Sequence, residues 1–171
     1  IVGAGTAGCI LANRLRENPR NSVVLIEAGK ADNHPLIHIP AGFVNLMTNS
    51  SLNWMLSTCE QEILNNRIMN MPRGKVLGGT SAINGMLYVR GQAQDYDGWA
   101  QAGNKGWSFA EVLPYFKKSV QTDFGQFQYD EGLHGESGDL FVSPPRTTYA
   151  VLDQFIEAAG RRGYRPYADY N

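Results

Sequence analysis

Two glycine-rich loops contain the residues of this chain whose types and spacing point to chemistry. The first loop is Gly3-Ala4-Gly5-Thr6-Ala7-Gly8, which follows the apolar pair Ile1-Val2 and precedes a helical pattern. Its three glycines permit a tight turn, a close approach of the backbone to a pyrophosphate, and close packing of the helix that follows. The helix N-terminus at Thr6 and Ala7 directs N–H groups and a positive dipole end toward a phosphate. The loop therefore predicts a dinucleotide site.

A carboxylate after the next apolar run fits the same ligand. Val23-Val24-Leu25-Ile26 has the composition of a strand, and Glu27 and Ala28 follow it directly. A carboxylate at this place can accept hydrogen bonds from the ribose hydroxyls of adenosine, and it would repel a 2′-phosphate. The first loop alone does not separate NAD from FAD.

The second loop, residues 72–91, separates the two cofactors. Its glycine density is one that no ordinary helix or strand tolerates, and Thr80, Ser81 and Asn84 add hydrogen-bonding side chains. A nicotinamide-binding Rossmann domain goes on alternating strands and helices, whereas this chain inserts about 40 residues before a second glycine loop. That order is expected for an extended flavin cofactor contacted at both ends.

Together these motifs resemble the FAD-binding half of the GMC (glucose-methanol-choline) oxidoreductases, and within that family the choline-dehydrogenase-like enzymes. The resemblance covers nearly the whole chain, and beyond the loops it includes the stretches 88–99, 106–108 and 113–118 and the segment from His134 to Gly138. It implies an α/β, Rossmann-like FAD-binding domain that is incomplete and has irregular insertions. Residues 1–29 are expected to form its βαβ start, 72–91 its FAD loop and 92–171 a helical and loop segment, with the substrate domain outside the chain.

The resemblance also implies cofactor contacts. Those along the pyrophosphate and ribityl chain are Arg73, Gly74, Val76, Gly78, Gly79 and Thr80, and those at the isoalloxazine edge near N5 and O4 are Asn84, Gly85, Met86 and Leu87. Trp54 resembles a tryptophan near the cofactor, although simple packing explains it equally well. Some relatives join a histidine of the second loop covalently to the flavin. Ile83 stands at the corresponding position, so the FAD is expected to be non-covalent.

The activity implied is the oxidation of a small alcohol, with a hydride moving from the CH–OH carbon to flavin N5 while a base removes the hydroxyl proton. No catalytic residue is expected in this chain, because His34, His38 and His134 are predicted to be loop histidines and the family's histidine base lies near the C-terminus of the complete chain. Two alternatives stay open. One is a catalytically empty FAD- or ADP-binding module, completed by a second polypeptide, and the other is a flavin-retaining lyase.

Composition narrows the function classes further. The chain of 171 residues carries 15 Lys and Arg against 16 Asp and Glu, a net charge of −1, which favours neither nucleic acid nor an anionic membrane as partner. It has no run of 18 apolar residues and no clustered metal ligands. Cys9 and Cys59 do not form a disulfide framework, so a reducing, cytoplasmic location is expected, with a signal peptide left open. Ile1-Val2 is too short for a Rossmann first strand, so a fragment is expected.

Local patterns predict the remaining elements. The predicted helices are Ala7–Arg16, a piece opening at the capping box of Ser108 and Glu111, a second piece from Pro114 to Lys118, and an amphipathic helix over Val151–Ala159 that ends near Gly160 or Gly163. The predicted strands are Ile1-Val2, Val23–Ile26 and Leu140–Val142, and residues 122–138 are expected to be a loop. Arg90 is expected to form an ion pair with the segment Asp95–Asp97.

Overall fold

The computed structural model describes residues 1–123, 130, 132–167, 169 and 171. The chain divides into two compact units, Ile1–Leu87 and Tyr88–Asn171. Each unit holds a different part of the sequence motifs. The first unit contains both glycine loops up to Leu87. The second contains the two capping boxes and the pair His134 and Asp169.

The first unit begins with the predicted βαβ arrangement in reduced form. Helix α1 (Thr6–Arg16) starts one residue earlier than predicted. Val2 and Ile26 form a parallel bridge, with Gly3 N donating to Ile26 O and Ile26 N donating to Ile1 O. The predicted strands Ile1-Val2 and Val23–Ile26 therefore lie parallel, but the prediction of full strands was wrong. Because Ile1-Val2 has only two residues, it forms a single bridge with the other segment, and Val2 is 90% exposed.

Short elements occupy the stretch between Gly29 and Arg73. They are 3-10 turns at Pro35–Ile37, Pro40–Gly42 and Glu62–Leu64, helix α2 (Phe43–Leu46), strand β1 (Leu56–Ser57) and strand β2 (Asn70–Met71). β1 and β2 pair antiparallel, with Leu56 opposite Met71. Pro35 and Pro40 each open a turn, where the fixed φ of proline fits and its missing N–H is not needed. A fourth 3-10 turn, Gly79–Ala82, lies inside the second glycine loop.

The core of the first unit fixes the second glycine loop. Its fully buried members are Leu46, Leu52, Val76 and Ile83. Two of these four, Val76 and Ile83, stand on either side of the turn Gly79–Ala82. Burying a side chain of this size stabilises the fold by about 1.5–3 kcal/mol. Apolar packing therefore holds the second loop on both sides of the turn Gly79–Ala82, although the middle of the loop is rich in glycine.

The described residues of the second unit form three helices and one short parallel strand pair. Its elements are α3 (Ala93–Gln101), α4 (Phe109–Ser119), β3 (Val120–Thr122), β4 (Leu140–Val142) and α5 (Ala150–Arg161). β3 and β4 run parallel, with Val120 opposite Leu140. The predicted strand Leu140–Val142 is confirmed. Thr122 belongs to β3 instead of the predicted loop, and residues 124–129 and 131 of that loop lie outside the described residues.

Helix α4 is continuous, so the predicted break at Pro114 was wrong. Proline in a helix interior costs about 3 kcal/mol, because its missing N–H cannot bond the carbonyl of Ala110. Contacts on both sides of Pro114 offset this cost. The rings of Phe109 and Phe116 both pack against Tyr96, with centroids 6.1 and 5.6 Å away. One continuous helix keeps both contacts.

The predicted helix ends are otherwise confirmed. Ser108 and Glu111 form the capping box of α4, and the pKa of the Glu111 carboxyl is lowered, first by the Ser108 hydroxyl and then by the Ser108 N–H. Gly163 follows the end of α5 with φ +91°, the left-handed conformation that glycine adopts at helix ends. None of the helices in the described ranges has the length and apolar character that a bilayer crossing requires.

Arg90 does not form the predicted ion pair with Asp95–Asp97 in the described part of the chain. Its Nε donates to the Tyr88 hydroxyl, and its Nη1 donates to the Leu133 carbonyl. The acidic side chains accept backbone N–H groups instead, Asp95 from Gln92 and Asp97 from Phe109. The carboxylates of Asp95 and Asp97 therefore accept hydrogen bonds near helix N-termini and do not pair with Arg90.

A ring of hydrogen bonds joins three distant segments of the second unit. Nε2 of the buried His134 lies 2.5 Å from Oδ2 of Asp169, and Asp169 Oδ1 accepts from Asn171 N. Asn171 Oδ1 accepts from Arg90 N, and Arg90 returns to Leu133 beside His134. Burial alone would raise the pKa of the Asp169 carboxyl, but the bonds from Asn171 and His134 and the His134 charge together lower that pKa below 3.8.

The Asp169 carboxylate is expected to stabilise the ring in a pH-dependent way. A lowered pKa in the folded state adds stability above the unfolded pKa of about 3.9, and this stability is lost as pH falls through the folded pKa. Asp169→Asn should lower the local opening free energy near neutral pH by about 1–3 kcal/mol. Native-state hydrogen exchange of Thr122 N–H, which donates to Gly135 O, measures that opening.

The control is a double-variant cycle with His134→Gln, which should cost no further stability once Asp169 is changed. The difference between the wild-type protein and Asp169→Asn should shrink below about pH 4. A difference that stays constant down to pH 2.5 would contradict this account of the pair.

Candidate dinucleotide site

A cavity of about 540 Å³ in the first unit brings the two glycine loops together. Val2 and Ile26 form apolar parts of its wall. All other lining residues are ones that the sequence predicts to contact the cofactor. These are Gly3, Gly5, Thr6, Glu27, Ala28, Trp54, Arg73, Gly74, Gly79 and Thr80. Residues separated by up to about 75 positions in the sequence thus share one cavity, as a ligand contacted by both loops requires.

Glu27 is fixed across the first loop. Its Oε2 accepts a hydrogen bond from Ala4 N, and its Oε1 accepts one from Gly29 N, both at 2.8 Å. Each carboxylate oxygen has a second lone pair for a hydroxyl donor. The carboxylate therefore combines a fixed orientation with capacity for two hydroxyls, as a ribose diol offers.

The N-terminus of α1 opens into the same cavity. Gly5 is its N-cap residue, and a Cβ built on Gly5 would meet no atom within 4 Å. The N–H groups of the first turn, Thr6 to Gly8, have no acceptor within the helix. This end of the helix therefore carries free donors and partial positive charge next to open space, which suits a phosphate.

The backbones of the two loops touch. Gly79 has φ +59°, and a Cβ on it would lie 2.7 Å from Gly5 Cα. Gly78 N donates to Ala4 O at 2.8 Å, and the hydroxyls of Thr6 and Ser81 are hydrogen-bonded to each other. No side chain fits between the loops at Gly79. The glycine therefore serves the approach of the loops as well as the ligand.

The third glycine of the first loop serves packing. A Cβ on Gly8 would lie 1.9 Å from Gly3 O, a distance that no structure tolerates. Gly3 itself turns the chain with φ +92°. The structure thus shows a turn at Gly3, an open face at Gly5 and a packing contact at Gly8, while the approach of Gly5 to a pyrophosphate stays a prediction.

Trp54 lies in the cavity wall and is 48% exposed, so it is not the core residue that the packing alternative requires. Lys75 Nζ lies 4.6 Å from the centroid of its ring. Arg73 lines the cavity too, with Nη1 donating to the Pro72 carbonyl. Sequence reasoning missed Lys75, although it stands inside the second loop and carries a positive charge of the kind that a phosphate site uses.

A second cavity, of about 340 Å³, lies along the later part of the second loop. Gly78, Asn84 and Met86 line it, together with apolar residues that include Leu36 and Phe43. Asn84 Oδ1 accepts a hydrogen bond from Met86 N at 2.9 Å and thereby supports φ +58° at Met86. The predicted isoalloxazine residues thus divide between this cavity and the surface.

The other predicted cofactor residues lie outside both cavities. Ala7 and Gly8 are in the first turn of α1, and the fully buried Val76 can offer only its backbone. A Cβ on Gly85 would lie 3.8 Å from the Phe43 ring, and Leu87 is 86% exposed. Contact of these residues with a cofactor stays a prediction.

The histidines of the first unit lie in loops, as predicted. Leu36 N donates to Nδ1 of His34, and His38 Nε2 donates to the Asp32 carbonyl at 2.7 Å. His38 lines the second cavity, but this bond occupies its Nε2. In the described part of the chain, no three His, Cys, Asp or Glu side chains are placed to hold a metal ion.

Known proteins resemble this chain in sequence and in fold. Residues 1–170 match the family model described as GMC oxidoreductase. The oxygen-dependent choline dehydrogenase of Sinorhizobium fredii is 43% identical over 171 residues, which is 100% of this chain and 30% of that protein. The crystal structure of pyridoxine 4-oxidase from Mesorbium loti has a TM-score of 0.84 at 34% identity, over 94% of this chain and 31% of the other.

A third relative is the FAD-dependent oxidoreductase from Chaetomium thermophilum, with a TM-score of 0.83 at 34% identity over 98% of this chain and 30% of the other. The chain thus spans about 30% of the length of the proteins it matches. Both the expected resemblance and the expected fold class are confirmed. The chain belongs to the GMC oxidoreductase family, with the α/β fold of the N-terminal third of these enzymes.

Proposed function

We propose that this chain is the FAD-binding part of an oxidoreductase that acts on the CH–OH group of a small alcohol. The observation that carries the proposal is the single cavity lined by both glycine loops, with Glu27 on one wall and the N-terminus of α1 on another. A carboxylate for ribose hydroxyls and a helix end for phosphate are the two groups that an ADP moiety needs.

The open face of Gly5 supports the fit of a bound pyrophosphate. A Cβ on Gly5 would occupy the space in front of the first-turn N–H groups. Apart from Gly5 and its two neighbours in the chain, no atom of the described structure lies within 4 Å of that Cβ position. Arg73 in the wall and Lys75 beside it add positive charge near the same place. Two cations and a helix N-terminus favour a doubly negative pyrophosphate.

The second cavity favours FAD over a nicotinamide dinucleotide. The second loop lines both cavities, through Gly79 and Thr80 in the first and through Gly78, Asn84 and Met86 in the other. A longer cofactor that follows the loop from one cavity to the next accounts for both. The apolar lining of the second cavity suits an aromatic ring system better than a ribose or a phosphate.

FAD, when bound, supplies the acceptor for a hydride from the alcohol carbon. The residues of this chain would hold the cofactor. Glu27, oriented by Ala4 N, would accept ribose hydroxyls, and the first turn of α1 would donate to phosphate. Asn84 fixes the loop that lines the second cavity. We place the base that removes the hydroxyl proton outside this chain, as the family resemblance implies. His34, His38 and His134 each already bond to a neighbouring group.

The names of two relatives are consistent with an alcohol as the substrate. One is named for choline and another for pyridoxine, and both of these compounds are alcohols. Neither name identifies the substrate of this chain, since the resemblance covers about 30% of each protein. The proposal is therefore limited to the substrate class.

The bound FAD is expected to be non-covalent. Ile83 has no nucleophilic atom, and it is 2% exposed in the core with Leu46, Leu52 and Val76. Acid precipitation of the natural polypeptide that contains this chain should release all of its flavin into the supernatant. Flavin fluorescence that stays with the denatured protein band would contradict the expectation.

The reaction class is tested by anaerobic flavin reduction in that natural polypeptide. Primary alcohols, added one at a time, should bleach the flavin absorbance, because a hydride taken from the alcohol carbon remains on the cofactor when no oxygen is present. Tertiary alcohols serve as controls and should not bleach it, because their hydroxyl-bearing carbon has no hydrogen to transfer. Turnover of an alcohol-derived substrate with no bleaching would favour a flavin-retaining lyase and would overturn the oxidoreductase proposal.

A further inference from the structure

Asn53 is a buried polar residue that no motif of the sequence singles out. It is 2% exposed and lies directly before Trp54. Its amide makes three hydrogen bonds. Nδ2 donates to the Met47 carbonyl at 2.8 Å, and Oδ1 accepts from Met55 N and from Arg73 N, both at 3.0 Å.

The bonds of Asn53 lie next to two residues that line the dinucleotide cavity, Trp54 and Arg73. Arg73 is bonded to Asn53 through its own N–H, while its carbonyl accepts from Trp54 N at 2.9 Å. Asn53 also forms an isolated antiparallel bridge with Gly74. Trp54, Arg73 and Gly74 all line the cavity. Asn53 contacts Arg73 through its side chain and Gly74 through its backbone, and Trp54 bonds to Arg73 in turn.

The Asn53 side chain also supports an unfavourable backbone conformation. Met55 has φ +53°, which costs a non-glycine residue about 1 kcal/mol or more. The bond from Met55 N to Asn53 Oδ1 is the turn contact by which asparagine stabilises such a bend. The bend follows Trp54 and therefore contributes to the direction of its ring.

We propose that Asn53 is a positioning residue of the dinucleotide site, which holds Trp54 and Arg73 in place for the ADP part of the cofactor. The inference rests on the proposed function, because it takes this cavity to be the ADP end. Asparagine combines an NH2 donor group and an oxygen that can accept two hydrogen bonds on a short side chain. Aspartate keeps the acceptor and loses the donor to Met47, whereas leucine leaves all three backbone partners without their bonds.

The test compares Asn53→Leu and Asn53→Asp in the apo form of the natural polypeptide that contains this chain. ADP and riboflavin are the two probes, and calorimetric titration gives each Kd. Asn53→Leu should raise the Kd of ADP at least tenfold and leave the Kd of riboflavin within about twofold. Asn53→Asp should raise the Kd of ADP about threefold, because the bonds to Arg73 N and Met55 N persist.

Asn49→Leu is the matched control. Asn49 makes the same kind of turn contact, since its Oδ1 accepts from Ser51 N and from the Ser51 hydroxyl, but it does not line the cavity. Its Kd values for both probes should equal those of the wild-type protein. If Asn53→Leu does not fold, Asn53→Ala replaces it, because alanine removes the same three bonds and leaves room for water.

The outcomes separate the two proposals. Equal losses of ADP and riboflavin affinity in Asn53→Leu would show a purely structural residue and overturn the inference. An Asn53→Asp protein that binds ADP no better than Asn53→Leu would also overturn it. A wild-type protein that binds neither ADP nor FAD would instead contradict the proposed function itself.

Discussion

The contact between Gly5 and Gly79 is the constraint on which the rest of the first unit depends. A Cβ on Gly79 would lie 2.7 Å from Gly5 Cα, so the two loops can meet here only because Gly79 lacks a side chain. Val76 and Ile83 bury the flanks of the second loop in the core, and the Thr6 and Ser81 hydroxyls bond across the junction. Apolar packing outside the contact thus holds together two glycine segments that would otherwise gain entropy by separating.

Polar groups around this contact are already oriented. Glu27 accepts two backbone N–H groups, Asn53 uses its whole amide, and Asn84 supports the bend at Met86. Each group is fixed by protein atoms and not by a ligand. A site arranged in this way loses little side-chain entropy when it binds, which favours tight retention of a cofactor.

Local patterns predicted the parts of the fold that local interactions determine. The three glycine roles in the first loop, the capping box at Ser108 and the amphipathic helix α5 all follow from spacings of a few residues. The family resemblance added the individual cofactor contacts that are expected in the second loop. Pro114 misled the prediction because aromatic packing on both sides of it outweighs the local cost.

The remaining features depend on partners that are distant in the sequence. Asn53 bonds to Arg73, which lies 20 positions away, and His134 pairs with Asp169 at a separation of 35 positions. No periodicity marks either residue, and the resemblance that includes His134 does not indicate its partner. The folded chain shows that both side chains are buried and hydrogen-bonded.

Gly5→Val, compared with Gly8→Ala, tests most directly whether the open face in front of α1 is where a dinucleotide pyrophosphate binds. A Cβ on Gly5 meets no protein atom, and its φ of −78° suits any residue, whereas a Cβ on Gly8 meets Gly3 O at 1.9 Å. Gly5→Val in the natural polypeptide that contains this chain should abolish retention of FAD and leave thermal stability of the apoprotein nearly unchanged. Gly8→Ala should instead lower that stability, by about 1–3 kcal/mol. A Gly5→Val protein that purifies with the wild-type ratio of flavin to protein absorbance would contradict the account.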